Sequence, residues 1–161
     1  MTVRAALRLG GVVGAAVVVL AGCGSIPADT EDTLDRARGG TLVVGVSEHP
    51  PWTSASPSGA VTGTEAELVE GFAQGIGADV EWHVGPESVL ARTIEEGGVD
   101  IVIGGLTSSS PWTTHMALTR PYTQAQTEDG KTRDMVMGVP KGENALMVAL
   151  ERHLAEQHGE I

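Results

Sequence analysis

Gly97-Gly98-Val99-Asp100-Ile101-Val102-Ile103-Gly104-Gly105-Leu106-Thr107 is the stretch on which the fold turns. The first glycine pair closes a helical segment, Glu87 to Glu96, and an apolar run from Val99 to Ile103 follows at once. The second pair ends that run, so helix, strand and turn succeed one another without a linker. Upstream, Thr41 to Val46 is a second continuous β-branched run, the composition of a strand buried on both faces. A loop rich in Pro, Ser and Gly (49–63) leads from it to a helix over Thr64 to Ile76, which sets Leu68, Val69, Phe72 and Ile76 on one face. Glu65, Glu67 and Glu70 stand in its early turns, where the helix dipole favours acidic side chains, and Gly77 ends it. Asp79 to Val84 reads as another strand. Strand and helix alternating at these spacings predict an α/β fold with a mainly parallel sheet covered by helices.

Beyond Tyr122 the pattern changes. Residues 123–134 contain no apolar side chain except Ala125. Met135 to Val139 then predicts a further strand, and Asn144 to Glu156 a helix with Leu146, Leu150 and Leu154 in register.

At the other end, Arg4 and Arg8 precede an apolar run from Leu9 to Leu20, and Leu20-Ala21-Gly22-Cys23 follows. This is the layout of an export signal, and the run is shorter than the ~20 residues of a membrane-spanning helix. A cysteine directly after Leu-Ala-Gly resembles the lipobox of bacterial lipoproteins. The resemblance implies removal of residues 1–22, lipid on Cys23, and a place on the extracytoplasmic face of a membrane. The expected organisation is a signal peptide at 1–22, a lipidated cysteine and flexible tether at 23–39, and one domain over 40–161. Cys23 is the only cysteine, so no disulfide supports the fold. Residues 23–161 hold all 21 acidic residues and 8 of the 10 basic ones, a formal charge of −13. Such a surface excludes nucleic-acid binding, which needs clustered Lys and Arg, and leaves membrane attachment to the lipid.

Four short motifs, in order, carry a second resemblance. Val44-Gly45 leads to Pro50-Pro51-Trp52; Thr62-Gly63-Thr64-Glu65-Ala66-Glu67-Leu68 opens the first long helix; Gly104-Gly105-Leu106-Thr107 closes the 99–103 strand; Thr119-Arg120-Pro121-Tyr122 ends the series. Together they resemble the family 3 solute-binding proteins of ABC importers, two-lobed binders of polar amino acids. Val136 to Gly142 and the helix after it resemble the segment that returns to the first lobe once the second is complete. Between these parts the family carries an entire second lobe, and here residues 123–134 replace it. The resemblance implies a single Rossmann-like lobe of a type 2 periplasmic binding protein, with about five strands, helices on both faces, and the 135–139 strand antiparallel to the rest.

It also implies a site. Trp52 and Trp112 would stack on a small polar solute, an amino acid or an oxyanion, while Glu48, Thr107 and Ser108 hydrogen-bond it. Alignment on Thr107 and on Pro121-Tyr122 places Trp112 where the family has a carboxylate-binding arginine. Loss of one charge-assisted hydrogen bond, about 1.5–3 kcal/mol, predicts weak carboxylate binding. Ser110 before Pro111 reads first as the N-cap and first residue of a helix, and second as a helix start whose free amides and hydroxyls hold an oxyanion. Trp52, Trp112 and Tyr122 are three of five aromatic residues, and they either pack on one another or expose a face for a partner. The expected partners are the solute, an ABC permease or a second copy of the chain, and the membrane through its lipid. The alternative readings are a receptor-like interaction module and a degenerate relic. His49, His83, His115, His153 and His158 lack metal-ligand spacing, and no nucleophile or phosphate-loop motif occurs. The expectation is a binding protein without catalytic residues, metal or cofactor.

Overall fold

The computed structural model describes residues 28–126 and 130–159. The first strand, β1 (Thr41–Val46), pairs in parallel with β4 (Asp79–Val84) along its whole length and with β5 (Ile101–Ile103) through Val44 to Val46. On the far side of β5 runs β9 (Gly138–Val139), antiparallel to it, and β6 (Ala117–Leu118) completes the sheet beside β9. The order is therefore β4-β1-β5-β9-β6, five strands with one reversed, which is the single-lobe α/β architecture the sequence implies.

Two apolar clusters cover the sheet. The larger joins strand residues Leu42, Val44, Val46, Ile101 and Ile103 to α1 (Thr33–Ala37), α2 (Thr64–Ile76) and α4 (Asn144–His158), whose Phe72, Leu146, Leu150 and Leu154 are buried. The smaller packs Leu90, Ala91 and Ile94 of α3 (Glu87–Glu95) on Val99, Val102 and Met116. A small antiparallel pair, β2 (Ser54–Ala55) and β3 (Val61–Thr62), precedes α2. The helices fall where the 3.6-residue periodicity puts them, because burial of one apolar stripe settles each of them.

Three segments depart from the sequence reading. Residues 29–39, expected as part of a flexible tether, are docked: Thr33, Leu34 and Ala37 are buried, and the segment forms α1. Its attachment is polar. Asp29 accepts the N–H groups of Ala145 (2.6 Å) and Leu146 (3.0 Å) at the start of α4, while the buried Glu143 accepts those of Glu31 (2.9 Å) and Thr33 (3.1 Å). Residues 123–134, expected only as a polar replacement for a lobe, form a hairpin of β7 (Thr123–Gln126) and β8 (Thr132–Met135) in four-residue register. Finally, residues 111–116 make turns rather than the helix that Ser110-Pro111 suggests. The export signal and Cys23 lie outside the described residues. Among the described residues no helix is long and apolar enough to cross a membrane.

Candidate functional site

Open α/β sheets present their ligand-binding loops where the parallel strands end in the carboxyl direction. Here those loops follow Val46 and Ile103, and the hairpin β7–β8 rises beside them. Ser47 donates its N–H to Ile103 (2.9 Å), which ties the two loops together. Thr107 bridges Met135, and the N–H of Ser108 meets the carbonyl of Asp134 at 2.9 Å, which ties the second loop to β8.

Glu65 organises this end. It lies in the first turn of α2, is fully buried, and reaches under the glycine turn: one carboxylate oxygen accepts the N–H groups of Gly104 (2.8 Å) and Gly105 (2.9 Å). The other accepts the hydroxyl of Tyr122 at 2.7 Å. Burial pushes the carboxyl of Glu65 above the usual glutamate range, and the three donors and nearby His49 offset only part of that rise. The same burial, with the carboxylate beside it, drives the Tyr122 phenol well above its ordinary value, so that hydroxyl stays a donor. Main-chain geometry makes the arrangement possible. Gly63, at φ +117°, starts α2 under the carbonyl of Trp52, where a Cβ would meet the oxygen at 2.3 Å. Gly105, at φ +67°, lies against the rings of His49 and Trp52, each about 3.0–3.1 Å from where its Cβ would be.

Of the sequence-predicted residues, Glu48 is exposed in the loop after β1 and Ser108 is exposed in the loop after β5. Trp52 and Thr107 are half-buried at the same end, Trp52 against the larger cluster. Trp112 is separate from them. It packs on the α3 side of the sheet, and its indole N–H donates to Glu87 at 2.7 Å. Tyr122 is buried in the larger cluster, against which Trp52 also packs, while Trp112 lies on the smaller one, so the three aromatics do not form one face.

The Ser110 hydroxyl turns back to accept the N–H of Thr107 (3.0 Å). Four backbone amides at this loop, those of Gly104, Gly105, Thr107 and Ser108, are thereby bonded within the protein. The loop also presents side-chain hydroxyls. The Thr107 and Ser109 hydroxyls are 3.0 Å apart, and Arg133 of β8 donates to Ser109 at 3.2 Å. Sequence reasoning missed the part played by Glu65, whose one signal was its place as the first acidic residue after Thr62-Gly63. Among the described residues no group of three His, Cys, Asp or Glu side chains could hold a metal ion.

A sequence profile of the bacterial extracellular solute-binding proteins, family 3, matches residues 42–160. The chain belongs to this family. No curated protein sequence matches it. Among solved structures, family 3 lobe 1 finds a counterpart in the arginine-bound form of domain 1 from TmArgBP, at 22% identity and TM-score 0.66 over 76% of this chain and 97% of that one. A truncated, arginine-bound ArgBP from T. maritima matches at 13% identity and TM-score 0.66, over 79% and 99% of the two chains. The ancestral amino acid-binding protein AncCDT-1, a precursor of cyclohexadienyl dehydratase, matches at 15% identity and TM-score 0.68, over 78% and 92%. At these identities the likeness is one of fold: lobe 1 of a family 3 protein.

Proposed function

We propose that the chain is an extracytoplasmic solute-binding lipoprotein that binds an amino acid at the carboxyl end of β1 and β5. The observation that carries this reading is the buried Glu65, which holds the Gly104–Gly105 turn and Tyr122 in one fixed arrangement without a second lobe. A pre-organised floor lowers the ordering cost that a ligand would otherwise meet. Domain 1 of TmArgBP, similar over nearly its whole length, is a single domain whose structure is an arginine-bound form, which supports binding by one lobe. Pockets that bind tightly bury about 70–90% of a small ligand, so an open half-site predicts roughly millimolar affinity. We assign binding rather than catalysis, because the one strongly desolvated carboxylate of this end is committed to backbone and phenol donors.

Lipid on Cys23 would set the orientation. With 29–39 docked at the amino end of the sheet, five residue steps, at most about 17 Å of extended chain, separate Cys23 from Ala28. The binding end would then face away from the membrane, toward arriving solute, and an ABC permease is the partner this reading implies. Thermal unfolding of residues 24–161 with each of the twenty L-amino acids at 10 mM tests the binding. A ligand with millimolar affinity adds about 1.4 kcal/mol, a midpoint rise of about 4 °C for a domain of this size. A flat response to all twenty contradicts the reading. Retention of the full chain in bacterial membranes, lost in Cys23→Ala, tests the anchor.

A further inference from the structure

We infer that β4, a free edge of the sheet, pairs antiparallel with β4 of a second copy of the chain, so that Glu81 of each copy meets His83 of the other. The first ground is the open edge. β4 pairs with β1 residue for residue along its whole length, and among the described residues no strand pairs on its other side. Asp79 and Gly85 donate their N–H groups to Gly40 and Val46 at 2.9 Å each. The odd positions of β4 therefore face β1, and the N–H and C=O groups of Val80, Trp82 and Val84 face outward. Edge strands are ordinarily blunted by brevity, lysine, proline or a bulge. β4 runs for six residues with no Lys, no Pro and an unbroken register.

The second ground is the sequence of that edge. Val80-Glu81-Trp82-His83-Val84 has the same chemistry in both directions: apolar, acid, aromatic, base, apolar. Antiparallel pairing about Trp82 sets Val80 against Val84, Glu81 against His83 and Trp82 against its own copy, the self-complementarity that a two-fold interface requires. The backbone suits this register. Val80, Trp82 and Val84 fall in hydrogen-bonded pairs, and Glu81 and His83 in the pairs between them, where side chains come closest. Within one chain Glu81 and His83 already meet at 2.8 Å, both exposed, so pairing closes a ring of two carboxylates and two imidazoles. Val84, 52% exposed, gains Val80 of the second copy as its cover. The third ground is charge. A chain of −11 repels its copies, and this edge sets acid against base, with Asp79 opposite Gly85 and no acid facing an acid. The two binding ends lie at opposite ends of the joined sheet and stay open. Copies held upright by lipid on Cys23 would run parallel, so the pair is one of chains off the membrane.

Sedimentation equilibrium of residues 24–161, at concentrations up to about 0.5 mM to capture a small interface, tests the pairing. The unaltered protein is expected to rise from one chain mass to two. Glu81→Lys sets a cation against His83, and His83→Glu sets acid against acid; each should weaken association by about tenfold or more. The double variant Glu81→Lys/His83→Glu exchanges the two charges and should restore association, which neither misfolding nor a contact elsewhere would do. A single chain mass at every concentration overturns the inference. So does association that both single variants leave unchanged, which would put the contact on another face, and so does a double variant that stays monomeric. Amino-acid binding is measured separately, and none of these results bears on it.

Discussion

The two ends of the sheet use the same device and obtain different results from it. At the amino end, Asp29 and Glu143 accept backbone N–H groups from α4 and from the segment that forms α1, each carboxylate serving the other's element. At the carboxyl end, Glu65 accepts the amides of Gly104 and Gly105 and the hydroxyl of Tyr122. Burial works against the charge of Glu143, but donors from Thr33, Glu31 and Thr30 outweigh it and hold the carboxyl below the usual range. At Glu65 the balance is reversed, and burial wins over three donors. The amino end is a fastening that favours the charged form. The carboxyl end holds its loops in place with a carboxylate whose ionisation is costly there. Departures from the cheapest local solution are expected where a protein binds something.

Breaking each fastening measures the contrast. Glu65→Ala leaves two buried amides and a phenol without an acceptor and opens a cavity, so a loss of about 4 kcal/mol is expected in urea unfolding. Glu143→Ala frees two N–H groups beside a short helix, with an expected loss of about 2 kcal/mol and a protease-sensitive N-terminal segment. A smaller loss from Glu143→Ala than from Glu65→Ala is the ordering that the contrast requires.

Glutamine at each position sharpens the contrast into opposite pH slopes. The folded carboxyl of Glu65 lies above the ordinary value near 4.5, so its contribution is full below that value and declines as pH rises through the folded pKa. Stability of Glu65→Gln relative to the unaltered protein should therefore grow with pH. The folded carboxyl of Glu143 lies below the ordinary value, so its contribution is full above about 4.5 and is lost as pH falls through the folded pKa. The deficit of Glu143→Gln should accordingly be greatest at neutral pH and vanish in acid. Parallel slopes from the two variants would remove the distinction. The smallest effect belongs to Trp112→Phe, which forfeits the indole bond to Glu87 for about 1 kcal/mol of stability and leaves ligand affinity unchanged.

What the sequence made legible follows from what holds each part. The β-branched runs at 41–46 and 99–103 and the apolar stripes of α2, α3 and α4 are settled by local periodicity. The count of about five strands and the reversal of the last one came from the family resemblance. The strand expected over 135–139 is split, Met135 ending β8 and β9 holding only Gly138–Val139. The docking of residues 29–39 is held by carboxylates more than a hundred positions away, and no periodic signal records such bonds. The hairpin is carried by backbone pairing of Thr, Gln and Arg, whose side chains give little apolar alternation, although Asp129-Gly130 is a turn signal. At the site, Trp52 and Thr107 stand at the expected end. Trp112 is drawn to α3 by Glu87, and Glu65 is buried by a glycine turn about forty positions downstream, and neither partner is adjacent in sequence.

The most direct test of the account maps the response of residues 24–161 to a binding L-amino acid by 1H–15N spectra. The account predicts that the shifted resonances cluster at Trp52 and at Gly105 to Ser109, with the amides around Asp29 and Glu143 unmoved. Shifts confined to the amino end, or no shifts at saturating concentration, would contradict it.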